Sequence, residues 1–351
     1  MMKVLFLTPW YPSERDAMAG LFVQKHVEAV RAQGVDVRVI HSQTWCDTRR
    51  QWKTLQREGW MPDVVQLNVI QKQGLLALWL KRRYKIPYVI VEHWSGYLPE
   101  NGQFMRMSPL KRRLYAFIAE QAAALLTVSD RHAQAMQACG IKNAHWERIC
   151  NVVDDFFFEN PNARITQNNQ NNRKTLLHIS CFDERAKNVK GLLRAAKTLS
   201  EQRRDWKLVL VGTGVDYEQV RAYAQSLTLP ADMIEWTGEI TPREVSQAFD
   251  NADIFVLNSN YENAPVVISE SLAKGVPVVS TNVGGIPEMV GEHCGILIAP
   301  DNDAQLTEAL RTMLDHYQEY DKQAIRRSGE PYSFANVGHR LKDIYEQVQT
   351  R

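Results

Sequence analysis

The feature that most constrains this chain is a rhythm. Short apolar runs that read as strands alternate with longer helical patterns, in two series with one break between them. Residues 4–8 read as a buried strand, followed by an amphipathic stretch over 21–32 that Gly34 ends. Strands at 35–41, 63–67, 88–92 and 125–129 continue the series, with helices expected at 75–83, 109–124 and 130–138. The order strand, helix, strand predicts a mostly parallel sheet covered on both faces. The break falls at 160–172, dense in Asn and Gln and poor in apolar residues, and it reads as a linker. Strands then resume at 175–179, 206–211, 233–236, 253–257 and 276–280. The fold class expected is therefore α/β, with two doubly wound, Rossmann-like halves facing each other. Sheets of this kind take ligands beyond the carboxyl ends of their strands.

The divisions expected are a first domain over 1–160, a linker over 161–173 and a second domain over 174–330. A last segment over 331–351, helical at 334–348, is expected to cross back onto the first domain. At 351 residues the chain is long enough for two such domains. It has no run of about 18 apolar residues to span a bilayer, and its first residues lack a secretory pattern. Five scattered cysteines form no disulfide framework, which together predicts a cytoplasmic location. Charge is uneven: residues 1–160 hold 21 Lys and Arg against 15 acids, whereas residues 161–351 hold 21 against 25. A basic first half suits an anionic partner, and nucleic acid is not expected among the partners.

The richest segment runs from Asp253 to Glu288. An apolar strand ends in a polar turn, Glu262-Asn263-Ala264-Pro265, which opens a helix. Pro265 suits the first helical position and Gly275 the C-terminal cap. The amides of Val266 and Val267 would point at the strand ends, where a diphosphate can accept their hydrogen bonds. Glu262 and Glu270, before and inside this helix, offer carboxylates to sugar or ribose hydroxyls.

Glu262 through Glu270 resembles the E-x7-E motif of the retaining glycosyltransferases of family four, which have the two-domain GT-B fold. That resemblance implies contact between Glu262 and hydroxyls of a donor sugar, and between Glu270 and the nucleotide ribose. Asn263-Ala264-Pro265 stands where relatives carry Gly-Phe-Gly. In 180–188, Lys187 matches the lysine that clamps the donor diphosphate, while Cys181 holds the place of the usual arginine. Arg185 and Lys190 are the candidate substitutes. Gly212 and Gly214, after a strand, are read as a turn where backbone approaches a ligand. Gly20, opening the helix after the loop 9–18, resembles the family's glycine turn near donor phosphate and acceptor. His93, at the end of the strand 88–92, corresponds to a histidine bordering the donor sugar.

The resemblance thus implies an enzyme of surface-polysaccharide assembly that moves a sugar from a nucleotide diphosphate donor to a hydroxyl of a glycan or lipid-linked acceptor, with retention. The same pocket fits a non-catalytic nucleotide-sugar or polysaccharide binder. No cofactor is expected, the nucleotide sugar being a substrate. No metal is expected either, since Asp301-Asn302-Asp303 reads as a helix cap and the nine histidines form no ligand motif. A nicotinamide dehydrogenase is disfavoured because residues 8–20 lack GxGxxG. Lys111, Arg112 and Arg113 open a helix with Leu110, Leu114, Tyr115 and Phe117, so that helix is expected to touch anionic membrane.

Overall fold

The computed structural model describes residues 1–13, 19–159 and 173–350. The Asn- and Gln-rich stretch and all of the expected linker but Arg173 lie outside these residues. Two compact units emerge: Met1–Val152 with Pro331–Arg351, and Val153–Glu330.

In the first unit the order is β1 (Lys3–Thr8), α1 (Leu21–Ala32), β2 (Asp36–His41), α2 (Trp45–Arg57), β3 (Val64–Asn68), α3 (Gly74–Tyr84), β4 (Tyr88–Glu92), α4 (Pro109–Glu120), β5 (Ala124–Thr127), α5 (Asp130–Ala138) and β6 (Trp146–Arg148). The strands form one sheet in the order β2-β1-β3-β4-β5-β6, every pair parallel. β1, β4 and β5 carry continuous apolar runs because both faces are covered, and β3 does so apart from the buried Gln66 and Asn68.

The second unit runs β7 (Lys174–Ile179), α6 (Glu184–Lys187), α7 (Val189–Gln202), β8 (Trp206–Val211), α8 (Tyr217–Ser226), β9 (Ile234–Gly238), α9 (Pro242–Asp250), β10 (Ile254–Leu257), α10 (Val266–Lys274), β11 (Val278–Thr281), α11 (Ile286–Met289), β12 (Gly295–Ile298), α12 (Asp303–His316) and α13 (Lys322–Gly329). Its sheet is again wholly parallel, in the order β12-β11-β10-β7-β8-β9.

The chain closes with α14 (Phe334–Thr350), which belongs to the first unit and contributes Val337, Leu341, Ile344, Tyr345 and Val348 to its core. Gly338 lets it come close: a Cβ there would lie 2.6 Å from the Ala29 carbonyl oxygen of α1.

Strand order reverses once in each sheet, between β1 and β3 in the first and between β7 and β10 in the second. These switch points open crevices at the carboxyl ends of the strands, where ligands of doubly wound sheets bind. Lys187 follows β7 and Glu262 follows β10. Gly20 follows β1, and His93 follows β4.

Candidate functional site

The loops after β7 and β10 are clipped together by side chains and backbone. Asn260 N–H donates to the Ala186 carbonyl at 2.7 Å and its Nδ2 to the Arg185 carbonyl at 3.0 Å. Asn258 Nδ2 donates to the Asn188 carbonyl at 3.2 Å. Asn188 turns the chain in the left-handed region, φ 44°, and its side chain caps α7 by accepting from Gly191. This clip carries the Lys187 ammonium onto Glu262 Oε1 as an ion pair, with side-chain exposures of 15% and 11%. Ser259 Oγ donates to the same oxygen at 2.8 Å. Burial works against the Lys187 charge, but the Glu262 carboxylate, with Cys181 and Tyr261 adding to it, outweighs burial and holds the ammonium above the ordinary lysine value.

The backbone beneath Glu262 is held by Gly284. At φ 52°, a Cβ on Gly284 would lie 1.6 Å from the Glu262 carbonyl oxygen, so only glycine fits. Thr281 Oγ1 donates to the Ser259 carbonyl at 2.6 Å and fixes the other end of the turn.

α10 starts at Val266, with Pro265 as N-cap and not as the first helical residue. Its ψ of 122° keeps it in the extended region, one position earlier than expected. Ala264 is half-buried in the turn ahead of it. Val266 and Val267 supply first-turn amides, which an α-helix leaves without intrahelical acceptors. Gly275 caps the other end in the left-handed region, as expected. Burial, reinforced by the carboxylate of Asp154, pushes Glu270 up to about 8. A value there favours the protonated, neutral carboxyl near neutrality, where the sequence suggested a charged acceptor.

Three glycines lie close against neighbouring backbone. A Cβ on Gly20 would lie 2.4 Å from the Trp10 carbonyl group, one on Gly212 2.0 Å from the Ser180 carbonyl oxygen, and one on Gly214 2.6 Å from the Phe182 nitrogen. At each, the side that a Cβ would occupy is taken by the protein's own backbone, so glycine lets these loops pack closely there. Arg185 is exposed on α6, Cys181 is exposed beside it, and the Lys190 ammonium lies 5.7 Å over the Tyr223 ring.

In the first unit, His93 packs against Phe22 of α1, ring centroids 4.3 Å apart, and against His26 at 5.5 Å. The structure thus brings the start of α1, next to Gly20, to the end of β4. Burial holds His93 well below the ordinary histidine value, with His26 and His132 adding to the effect. Glu92, read only as the end of a strand, is fully buried and accepts from the amides of Ile70, His93 and Trp94 at 2.9, 3.0 and 2.9 Å. Burial outweighs these amides and pushes it up to about 7.

Asn302 caps α12 by accepting from Gln305 at 3.0 Å, and Asp303 pairs with Arg194, which accounts for the acidic triplet. On α4, Leu110 and Phe117 are exposed, but Tyr115 is buried with Lys111 5.5 Å over its ring, so Tyr115 does not join an outward apolar face. Ser259, Gly284, Asn258 and Asn260 went unremarked in the sequence. The signal for the serine was its place three residues before Glu262.

Two family models match consecutive parts of the chain: Glycosyltransferase Family 4 over residues 2–155 and Glycosyl transferases group 1 over residues 160–328. The chain belongs to the group 1 glycosyltransferases. It is 22% identical to the putative teichuronic acid biosynthesis glycosyltransferase TuaC of Bacillus subtilis, over 99% of this chain and 98% of that protein. Among solved structures, sucrose-phosphate synthase from Thermosynechococcus elongatus aligns with a TM-score of 0.82 at 18% identity, covering 99% of both chains. Anabaena HepE in complex with UDP-glucose aligns with a TM-score of 0.78 at 18% identity, over 99% of this chain and 100% of that one. These likenesses identify the fold as GT-B. Among the described residues, no helix is long and apolar enough to cross a membrane.

Proposed function

We propose that this glycosyltransferase moves a sugar from a nucleotide diphosphate donor to a hydroxyl of a glycan or lipid-linked acceptor, retains the anomeric configuration, and serves surface-polysaccharide assembly. The observation that carries the reading is the Lys187–Glu262 ion pair beside the first turn of α10, at the switch point of the second sheet. A diphosphate there meets the Lys187 ammonium and the amides of Val266 and Val267, with Arg185 within the same loop. Fixed positive charge of this kind stabilises the departing diphosphate without a metal ion. Glu262, released from Lys187 by that anion, is free to accept from sugar hydroxyls. The Glu270 carboxyl both donates to and accepts from ribose hydroxyls. On the first unit, His93 and the start of α1 are assigned to the acceptor. No cofactor takes part.

HepE was solved with UDP-glucose and TuaC is named for teichuronic acid biosynthesis, which supports a nucleotide-sugar donor and a polysaccharide product. Leu110 and Phe117, exposed beside Lys111 and Arg113, support peripheral contact with anionic membrane. Flotation with phosphatidylglycerol liposomes should weaken when Lys111, Arg112 and Arg113 all become Ala, and unchanged flotation removes this contact.

The test of function is a panel of UDP-, GDP- and ADP-sugars offered with glycan acceptors, the product anomer being read by NMR. Transfer with retention is expected. Binding of a nucleotide sugar with neither transfer nor hydrolysis would instead favour the non-catalytic binder, and inversion would refute retention.

A further inference from the structure

α2, which the sequence patterning did not disclose, carries Arg49, Arg50, Lys53 and Arg57 against one carboxylate, Asp47. At 3.6 residues per turn the four cations share a face with Cys46. That face is exposed, while Thr48 and Trp52 turn into the unit. Arg49, Lys53 and Arg57 follow one another at i,i+4 steps, a spacing at which like charges repel. Asp47 does not relieve them, because it is engaged by Arg50 and by Gln51 Nε2 at 2.9 Å. Among the described residues none of the three has a carboxylate within ion-pair distance.

Two adjoining recesses border this face. The larger, about 660 Å³, is lined by His41, Ser42, Gln43 and Thr44 at the carboxyl end of β2 and by the first turn of α2. The smaller, about 250 Å³, continues along the cations to Arg57, and the two share Cys46 and Arg50. Trp45, exposed at the first position of α2, adds an aromatic face next to the neutral end. One end thus offers the exposed side chains of Gln43 and Thr44 and a ring surface beside the Asp47–Arg50 pair, chemistry that suits a sugar. The other offers a row of uncompensated positive charge. A bilayer surface is met by cations among inserting apolar side chains, whereas here the side chains between the cations are Cys46 and Thr54.

We propose that this recess binds an anionic glycan, with sugar hydroxyls at the His41–Thr44 end and carboxylate or phosphate groups along Arg49, Lys53 and Arg57. On the glycosyltransferase reading, on which this assignment rests, that glycan is the acceptor.

Calorimetry with oligogalacturonate, a phosphorylated maltooligosaccharide and neutral maltoheptaose tests it on the full chain. Binding of either charged oligosaccharide is expected, weakening at least about tenfold as NaCl rises from ~50 to ~500 mM, because exposed charges are screened. The variant R49A/K53A/R57A should lose at least about tenfold in that affinity and respond no differently to maltoheptaose. Preference between the two charged probes distinguishes carboxylate from phosphate. Equal affinity for charged and neutral oligosaccharides, no binding of either charged one, or an unaffected triple variant would overturn the proposal. Capture by phosphatidylglycerol vesicles with neither charged oligosaccharide bound would also overturn it. Thermal shifts with UDP-, GDP- and ADP-sugars, run on wild type and variant, separate the two readings. A donor shift kept by the variant shows that it is folded and that the loss is confined to the recess. An anionic glycan bound by a wild type that takes no nucleotide sugar keeps the recess and removes the glycosyltransferase reading.

Discussion

Lys187 and Glu262 are brought together from loops far apart in sequence, and their pair is mostly withdrawn from water. A donor diphosphate competes with the Glu262 carboxylate for the same ammonium. Glu262→Gln is therefore expected to bind a free nucleoside diphosphate roughly tenfold tighter, since a charge-assisted partner has been removed. Sugar transfer should meanwhile fall by about a hundredfold or more. Calorimetry and turnover read the two effects, and unchanged nucleoside-diphosphate affinity would show that the pair does not compete. Glu270 supplies a pH dependence. Its folded value of about 8 stands above the 4.5 of an ordinary glutamate, so folding takes up a proton between those values. Stability from this group therefore falls as pH rises from 4.5 towards 8. Glu270→Gln removes that titration, while Glu92, raised to about 7, keeps the same sign in the variant. The decline of Tm with pH should thus be shallower in Glu270→Gln than in wild type, and parallel curves would contradict the buried-acid assignment. The glutamate positions were legible from their spacing and from the turn between them. The raised value of Glu270 was not, because it comes first from tertiary burial and then from Asp154, which reaches it from a distant part of the chain.

At the scale of elements, α1, β4, α5 and β8 were legible to the residue, because apolar periodicity and end signals agree there. α2 was not, since Thr48 and Trp52 are its only buried residues and leave no apolar stripe to read. β6 is a three-residue edge strand, and β12 is an edge strand with only Ile298 buried, so neither shows a buried apolar run. Glycines were legible as turns, but what packs against each was not, because which atoms crowd a Cα is decided by tertiary contact. Gly284 and Gly140 make a matched comparison. Both have positive φ, but nothing lies within 4 Å of a Cβ on Gly140, whereas one on Gly284 strikes Glu262. Each alanine substitution should cost roughly 1–2 kcal/mol of stability from the left-handed backbone alone. Only Gly284→Ala should also raise the donor KM, by about tenfold or more, as measured by steady-state kinetics on both variants. An unaltered KM in Gly284→Ala would mean that the loop carrying Glu262 is not held by this contact.

At the scale of the whole molecule, the two parallel sheets were legible because buried strands read as continuous apolar runs. The Asn- and Gln-rich break marked the division only approximately. The second unit begins at Val153, ahead of it, because Phe157 is buried against Phe249 and Lys274, and the Phe158 carbonyl accepts from Arg326. No local composition change announces such packing. The excess of positive charge over 1–160 has one concrete location in the exposed face of α2, and the acidic excess falls in the unit assigned to the donor. The central claim is that a nucleotide sugar binds at the strand ends of that second unit. It is tested most directly by dissociation constants for UDP-, GDP- and ADP-sugars in wild type, Lys187→Ala and Glu270→Ala. Binding of at least one of them by wild type, weakened at least about tenfold by each substitution, is the predicted result. Absence of binding by all three nucleotide classes, or wild-type affinity in both variants, would contradict it.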